Sequence, residues 1–157
     1  MHRNNRQIAP LSLRIIVWGA AAGIFAGTVL GLFLKWVQNA TGEQVYTLLL
    51  NIDFIPYMPM RLTESVEFLL HLVVSAALGI VYLSVAAYRG KYALWGVIIG
   101  VLASLAWIPL TLVSDRVPSI SNGQAFSLWL LGHVIYGIAL ALMASLFKPL
   151  FRRRGES

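Results

Sequence analysis

Apolar residues gather along this chain into four long runs, at about residues 15 to 37, 66 to 88, 92 to 114 and 125 to 147, with short polar stretches between them. Each run matches the ~20 residues that a helix needs to cross the hydrocarbon of a bilayer. The pattern predicts an all-α polytopic membrane protein, a four-transmembrane-helix bundle forming a single membrane domain over residues 1–157. With only about 70 residues left for two tails and three loops, no separate soluble domain fits.

Details within the runs refine this picture. Gly19, Gly23, Gly27 and Gly31 recur every fourth residue and so share one face of the first helix, where another helix, in the same bundle or in a second copy, can approach closely. Gly96 and Gly100 give the third span a shorter version, and spans one and three are expected to pack together through these faces. Pro109 lies inside span three and deprives a carbonyl of its partner, which predicts a kink near Trp107, relieved by the Ser104 or Thr111 hydroxyl. The loop of residues 38 to 65 is long and apolar, and it is expected to lie on the membrane surface. There Thr41 and Gln44 have the spacing of a capping box for a short interfacial helix, which Pro56 and Pro59 would end. Tyr46, Tyr57, Tyr88 and Tyr92 suit the boundary between lipid and water. Tyr88-Arg89-Gly90-Lys91 reads as a tight turn joining spans two and three.

Composition agrees with a lipid solvent: 59% of residues are hydrophobic, 11% are charged, and the mean hydropathy is +0.77. The net charge of +6 does not point to nucleic acid, because the basic residues sit at the ends of spans rather than along one soluble face. Arg3, Arg6, Arg14, Arg89, Lys91, Lys148, Arg152, Arg153 and Arg154 all fall on one side of the four-span topology, which the positive-inside rule makes cytoplasmic, with both termini. The opposite loops hold Glu43, Asp53, Glu64 and Asp115 against Lys35, Arg61 and Arg116. The first run is too long for a signal-peptide core and no cleavage site follows it, so it is expected to be retained. With no cysteine in the chain, thiol nucleophiles, thiolate metal sites and disulfides are excluded.

Ionisable groups within a span are costly and are the default functional candidates. At 1.5 Å per residue, His71, Trp107 and His133 come to ~8, ~10 and ~12 Å below the outer boundary, in one layer. Glu64, Glu67 and His71 follow i, i+3, i+7 on span two, and Lys35 near the end of span one reaches the same region. The candidate polar cluster is therefore Glu67, His71, His133, Trp107 and Lys35. Two histidines and one carboxylate fall short of a closed metal site, and a bis-histidine haem is not indicated by two histidines on separate spans, so no cofactor or metal is expected.

Several of these segments together resemble the YagU-like family of small bacterial inner-membrane proteins. They are the glycine-rich first span ending Phe33-Leu34-Lys35-Trp36, His71 opening span two, Lys91-Tyr92-Ala93-Leu94-Trp95 opening span three, Pro109-Leu110, and Gly132-His133 in span four. The resemblance implies a multi-pass protein of the bacterial plasma (inner) membrane and attaches no enzyme or transport reaction to it. The expected function is a non-enzymatic integral membrane protein, self-associating and responsive to extracytoplasmic acidity through His71 and His133. The expected partners are membrane lipids and further copies of the chain, with no nucleic acid. The alternative is a small oligomeric transporter or channel for an unidentified solute.

Overall fold

A computed structural model of the chain describes residues 13–53 and 62–151. Six helices make up these residues: α1 (Leu13–Thr41), α2 (Val45–Leu49), α3 (Glu64–Arg89), α4 (Tyr92–Ser104), α5 (Trp107–Leu112) and α6 (Gly123–Phe151). Four segments are long and apolar enough to cross a membrane: α1, α3, α4 continued by α5, and α6. The protein is a multi-pass, all-helical bundle. The four spans coincide with the apolar runs, each helix extending beyond its run by a few residues except the third, which is interrupted. Arg3, Arg6, Pro56, Tyr57, Pro59, Arg61 and Arg152 to Arg154 lie outside the described residues.

Local chemistry sets the helix ends. Gly42 and Gly90 follow α1 and α3 in the left-handed conformation, φ 79° and 72°, which a residue with a Cβ adopts only with strain. The Asn122 side chain accepts a hydrogen bond from the Ala125 amide at 3.0 Å and so caps the start of α6. We call the end of the bundle that carries residues 42–53 and 113–122 the loop end, and the end at Arg89–Lys91 the turn end.

Two seams of small residues hold the bundle, and they do not join the expected spans. The glycine face of α1 packs on α3 and not on the third span. A Cβ on Gly23 would strike the Ser75 carbonyl and stand 2.8 Å from Ala76 Cα, and one on Gly79 would come within 2.6 Å of Gly23 Cα. The second seam joins α4 to α6, where Gly96 and Gly100 face the backbone of Gly137 and His133. At each contact a glycine on at least one side lets the backbones meet directly, and dispersion replaces the hydrophobic drive that lipid cannot supply. The α1 glycine face is thus covered within the chain. Helix α6 also packs on α1, where Leu30 and Leu34 lie over Gly132.

The third span breaks at Leu105–Ala106, just before Trp107. Pro109 has no amide hydrogen to offer the Leu105 carbonyl, which accepts instead from Ile108 N at 3.1 Å, a tighter turn. The carbonyl of Ser104, robbed of its usual i+4 partner, receives the Trp129 indole N–H at 2.9 Å. The expected hydroxyl relief is not what occurs: Ser104 Oγ bonds Val101 O at 2.7 Å, and Thr111 Oγ1 bonds Trp107 O at 2.8 Å.

The first loop folds back onto the bundle. Helix α2 buries Val45, Tyr46 and Leu48 against α1, α5 and α6. Thr41 does not form a capping box with Gln44, because it still belongs to α1 and its hydroxyl bonds Val37 O at 2.8 Å. The cap comes from farther back, where Gln38 Oε1 accepts from both Tyr46 N and Thr47 N at 2.9 Å. Tyr46 is accordingly buried and bonded to Glu64 at 2.9 Å, and it does not project to a lipid boundary.

Candidate functional site

Interrupting the third span keeps α4 and α5 from closing fully on α3, and a cavity of about 720 Å³ lies between them in the loop-end half of the bundle. Its back wall is α6, with Trp129, His133 and Tyr136, and its roof is the segment Leu49–Ile52. On α3, Glu67, His71, Val74, Ser75 and Leu78 line one side at helical spacing. Most of the wall is aliphatic. Val73, Val74 and Leu102 belong both to this wall and to the exposed exterior, at 66%, 60% and 55% exposure, so the cavity opens sideways between α3 and α4.

The structure divides the candidate cluster. Glu67, His71 and His133 line the cavity together. Lys35 does not: its ammonium meets Glu64 Oε1 at 2.6 Å and lies 5.4 Å from the Tyr46 ring centre, outside the cavity. Trp107 lies behind the wall, 3% exposed, edge-on to Phe126 at 5.5 Å and 6.3 Å from the Trp129 ring. It supports Trp129 without reaching the cavity.

Each imidazole is fixed by a backbone carbonyl. His71 Nε2 lies 3.2 Å from Gly27 O, a contact made possible by the bare glycine face of α1. His133 Nδ1 lies 2.9 Å from Trp129 O, one turn back along α6, and its ring lies tilted against the Trp129 indole, centroids 4.3 Å apart. A carbonyl only accepts, so in both residues the bonded nitrogen carries the hydrogen. Neutral His71 then keeps Nδ1, and neutral His133 keeps Nε2, as an unshared acceptor. His133 is 4% exposed, and no side chain or backbone group among the described residues bonds its Nε2.

Deeper in the cavity, Ser75 Oγ donates to Gly23 O at 2.7 Å and lies 3.3 Å from the Tyr136 hydroxyl. The turn-end continuation of these helices is packed, with Tyr82, Leu83 and Leu140 fully buried. Trp129, Tyr136 and Asn51 belong to the site but were not among the sequence candidates. Tyr136 stands one turn beyond His133 less one residue, the i+3 position, and that spacing was the available signal.

Above the cavity lies a polar vestibule of about 220 Å³, walled by Gln38, Thr47, Glu64 and Arg116. Leu50, Asn51 and Glu67 belong to both spaces and form the partition between them. The vestibule is strapped at its edge: Arg116 meets Asp53 at 2.7 Å, and Asn122 Nδ2 meets Glu43 Oε2 at 2.9 Å. The Ser114 hydroxyl, and then the Arg116 guanidinium, hold the Asp53 carboxyl below the usual carboxylate range against the opposing effect of burial. Burial, followed by the Glu64 carboxylate, pushes the Tyr46 phenol up.

Among the described residues no group of three His, Asp or Glu side chains comes together as a metal site. The chain matches no family model, no curated protein and no solved structure, so the site is read from its own residues.

Proposed function

We propose that this chain is a non-enzymatic protein of a bacterial inner membrane that binds a lipid-like amphiphile in the cavity between α3 and α4. The observation that carries this reading is a ligand-sized, mainly aliphatic cavity with a sideways opening at acyl-chain depth and a few convergent polar groups at one end. The basic residues near the turn end support placing that end in the cytoplasm and the vestibule outside. A binding role is favoured over a reaction because the Ser75 hydroxyl on the cavity wall donates to the Gly23 carbonyl and not to an imidazole. It is favoured over a channel because the packed Tyr82, Leu83 and Leu140 offer no polar path to the turn end.

Response to acidity on the vestibule side is a second reading, supported by the two unshared imidazole nitrogens. Among the described residues the titratable side chains on the cavity wall are Glu67, His71 and Tyr136 beside His133, so a proton added to either imidazole would find the Glu67 carboxylate to pair with.

The binding reading is tested by native mass spectrometry of the protein extracted from its own membrane in mild detergent. Wild type should carry an extra lipid-like mass, and Ala103→Trp or Ala106→Trp, which fill the cavity from its α4 side, should lose it while retaining helical circular dichroism. Equal retention of the same masses by wild type and both filled variants would refute it.

A further inference from the structure

Among the described residues Glu67 is the only carboxylate on the cavity wall, and no described side chain holds it in a salt bridge or hydrogen bond. Lys35 is held by Glu64 and Arg116 by Asp53, both at hydrogen-bond distance, and neither salt bridge among the described residues includes Glu67. Facing the same space are two imidazoles whose N–H groups are already given to the Gly27 and Trp129 carbonyls. What they offer inward is lone pairs. The polar end of the cavity is therefore rich in acceptors and short of donors among the described residues: a carboxylate, His71 Nδ1 and His133 Nε2, with the Tyr136 hydroxyl and a Ser75 hydroxyl already given to the Gly23 carbonyl. One of the two Asn51 amide N–H groups is committed to the Leu110 carbonyl at 3.3 Å, which leaves the partition a single amide donor.

We infer that the amphiphile's head group is a protonated amine: the site takes a monocationic amphiphile whose ammonium N–H groups bond Glu67 and the free imidazole nitrogens while its apolar body fills the aliphatic part of the cavity. This rests on the binding reading above and specifies its ligand class. An ammonium has three donors and no acceptor, which complements this wall, whereas a carboxylate or phosphate head would meet like charge and unanswered lone pairs. A carboxylate–ammonium pair also gains strength beside a mainly aliphatic wall, where the local dielectric is lower than in bulk water. Glu67 stands in the partition between the vestibule and the cavity, so an amine arriving from the vestibule meets the carboxylate before its tail enters.

The test uses the full chain in nanodiscs of zwitterionic lipid at neutral pH. The probes are three twelve-carbon amphiphiles brominated at the fourth carbon from the head group, which lies by Trp129 when the head meets His133, and bearing an amine, an alcohol or a carboxylate. Bromine quenches indole emission on contact, and Trp129→Phe identifies the share of quenching that comes from the cavity. The amine should saturate the Trp129 signal at a concentration lower than the alcohol by on the order of tenfold, the carboxylate should be weakest, and Glu67→Gln should erase the amine's advantage while leaving the alcohol unchanged. Glu67→Asp, which keeps the charge, should retain part of that advantage. Equal binding of amine and alcohol, or an advantage that survives Glu67→Gln, would overturn the head-group inference while leaving a binding cavity in place. If none of the three probes quenches Trp129, the binding reading fails together with it.

Discussion

The sharpest structural test is a methyl group added at Gly23. An alanine Cβ there would stand 2.8 Å from Ala76 Cα and closer still to the Ser75 carbonyl, all of them backbone atoms that no rotamer change can move. Reaching ordinary contact requires α1 and α3 to part by roughly 1 Å at their closest point, the Ser75 carbonyl, enough to loosen contacts all along a dry seam. Forced overpacking costs roughly 1–3 kcal/mol, and stretching the Ser75 Oγ to Gly23 O bond adds roughly 0.6 kcal/mol, so Gly23→Ala should destabilise the bundle by about 2–4 kcal/mol. Gly31→Ala is the control on the same helix face. Its nearest neighbour is the ring edge of Phe68, a side chain that can swing aside, and the cost should stay under about 1 kcal/mol. Reversible unfolding in mixed micelles with increasing SDS, followed by circular dichroism, measures both. Equal costs for the two variants, or a Gly23→Ala variant as stable as wild type, would refute the backbone-to-backbone seam.

Trp129→Phe keeps the aromatic packing but leaves the Ser104 carbonyl without a partner in an apolar setting, so the same titration should show a loss of about 1–2 kcal/mol. Gln38→Leu removes the acceptor shared by Tyr46 N and Thr47 N, and amide exchange at these two positions should accelerate by roughly tenfold while α3 and α6 remain protected. For the Asp53–Arg116 strap, the folded-state pKa lies below the unfolded value of about 3.9, so the stabilisation is complete above that pH and disappears as pH falls through the lower folded value. Asp53→Asn should therefore be less stable than wild type at pH 7, and the gap should close below about pH 4.

Much of the architecture was legible because lipid imposes a simple rule: a span must be long, apolar and helical, and residues 13–41, 64–89, 92–112 and 123–147 obey it. Partner choice was not legible in the same way. The glycines of α1 announce a close approach without naming what approaches, and the pairing with α3 depends on Ser75 and Gly79 four residues apart, a quieter signal than Gly96 and Gly100. Pro109 foretold the break in the third span, but the group that satisfies the freed Ser104 carbonyl sits 25 residues away on α6 and has no local signature. Depth arithmetic placed His71, His133 and Trp107 in one layer, yet depth carries no azimuth: the two histidines face the cavity while Trp107 points behind it. Lys35 was near enough to join, but Glu64 and the Tyr46 ring hold it outside.

The central claim is that Glu67, His71 and His133 share one cavity reached by water from the vestibule. The absence of native cysteine makes a single introduced thiol an unambiguous probe of it. Ala103→Cys places that thiol on the cavity wall, and Leu131→Cys places one on the lipid-facing side of α6 near the level of His133. A membrane-impermeant, cationic methanethiosulfonate added from the vestibule side reacts with thiolate, which forms only where water reaches. The expected result is modification of Ala103→Cys and none of Leu131→Cys. Equal inertness of the two would contradict the shared, hydrated cavity.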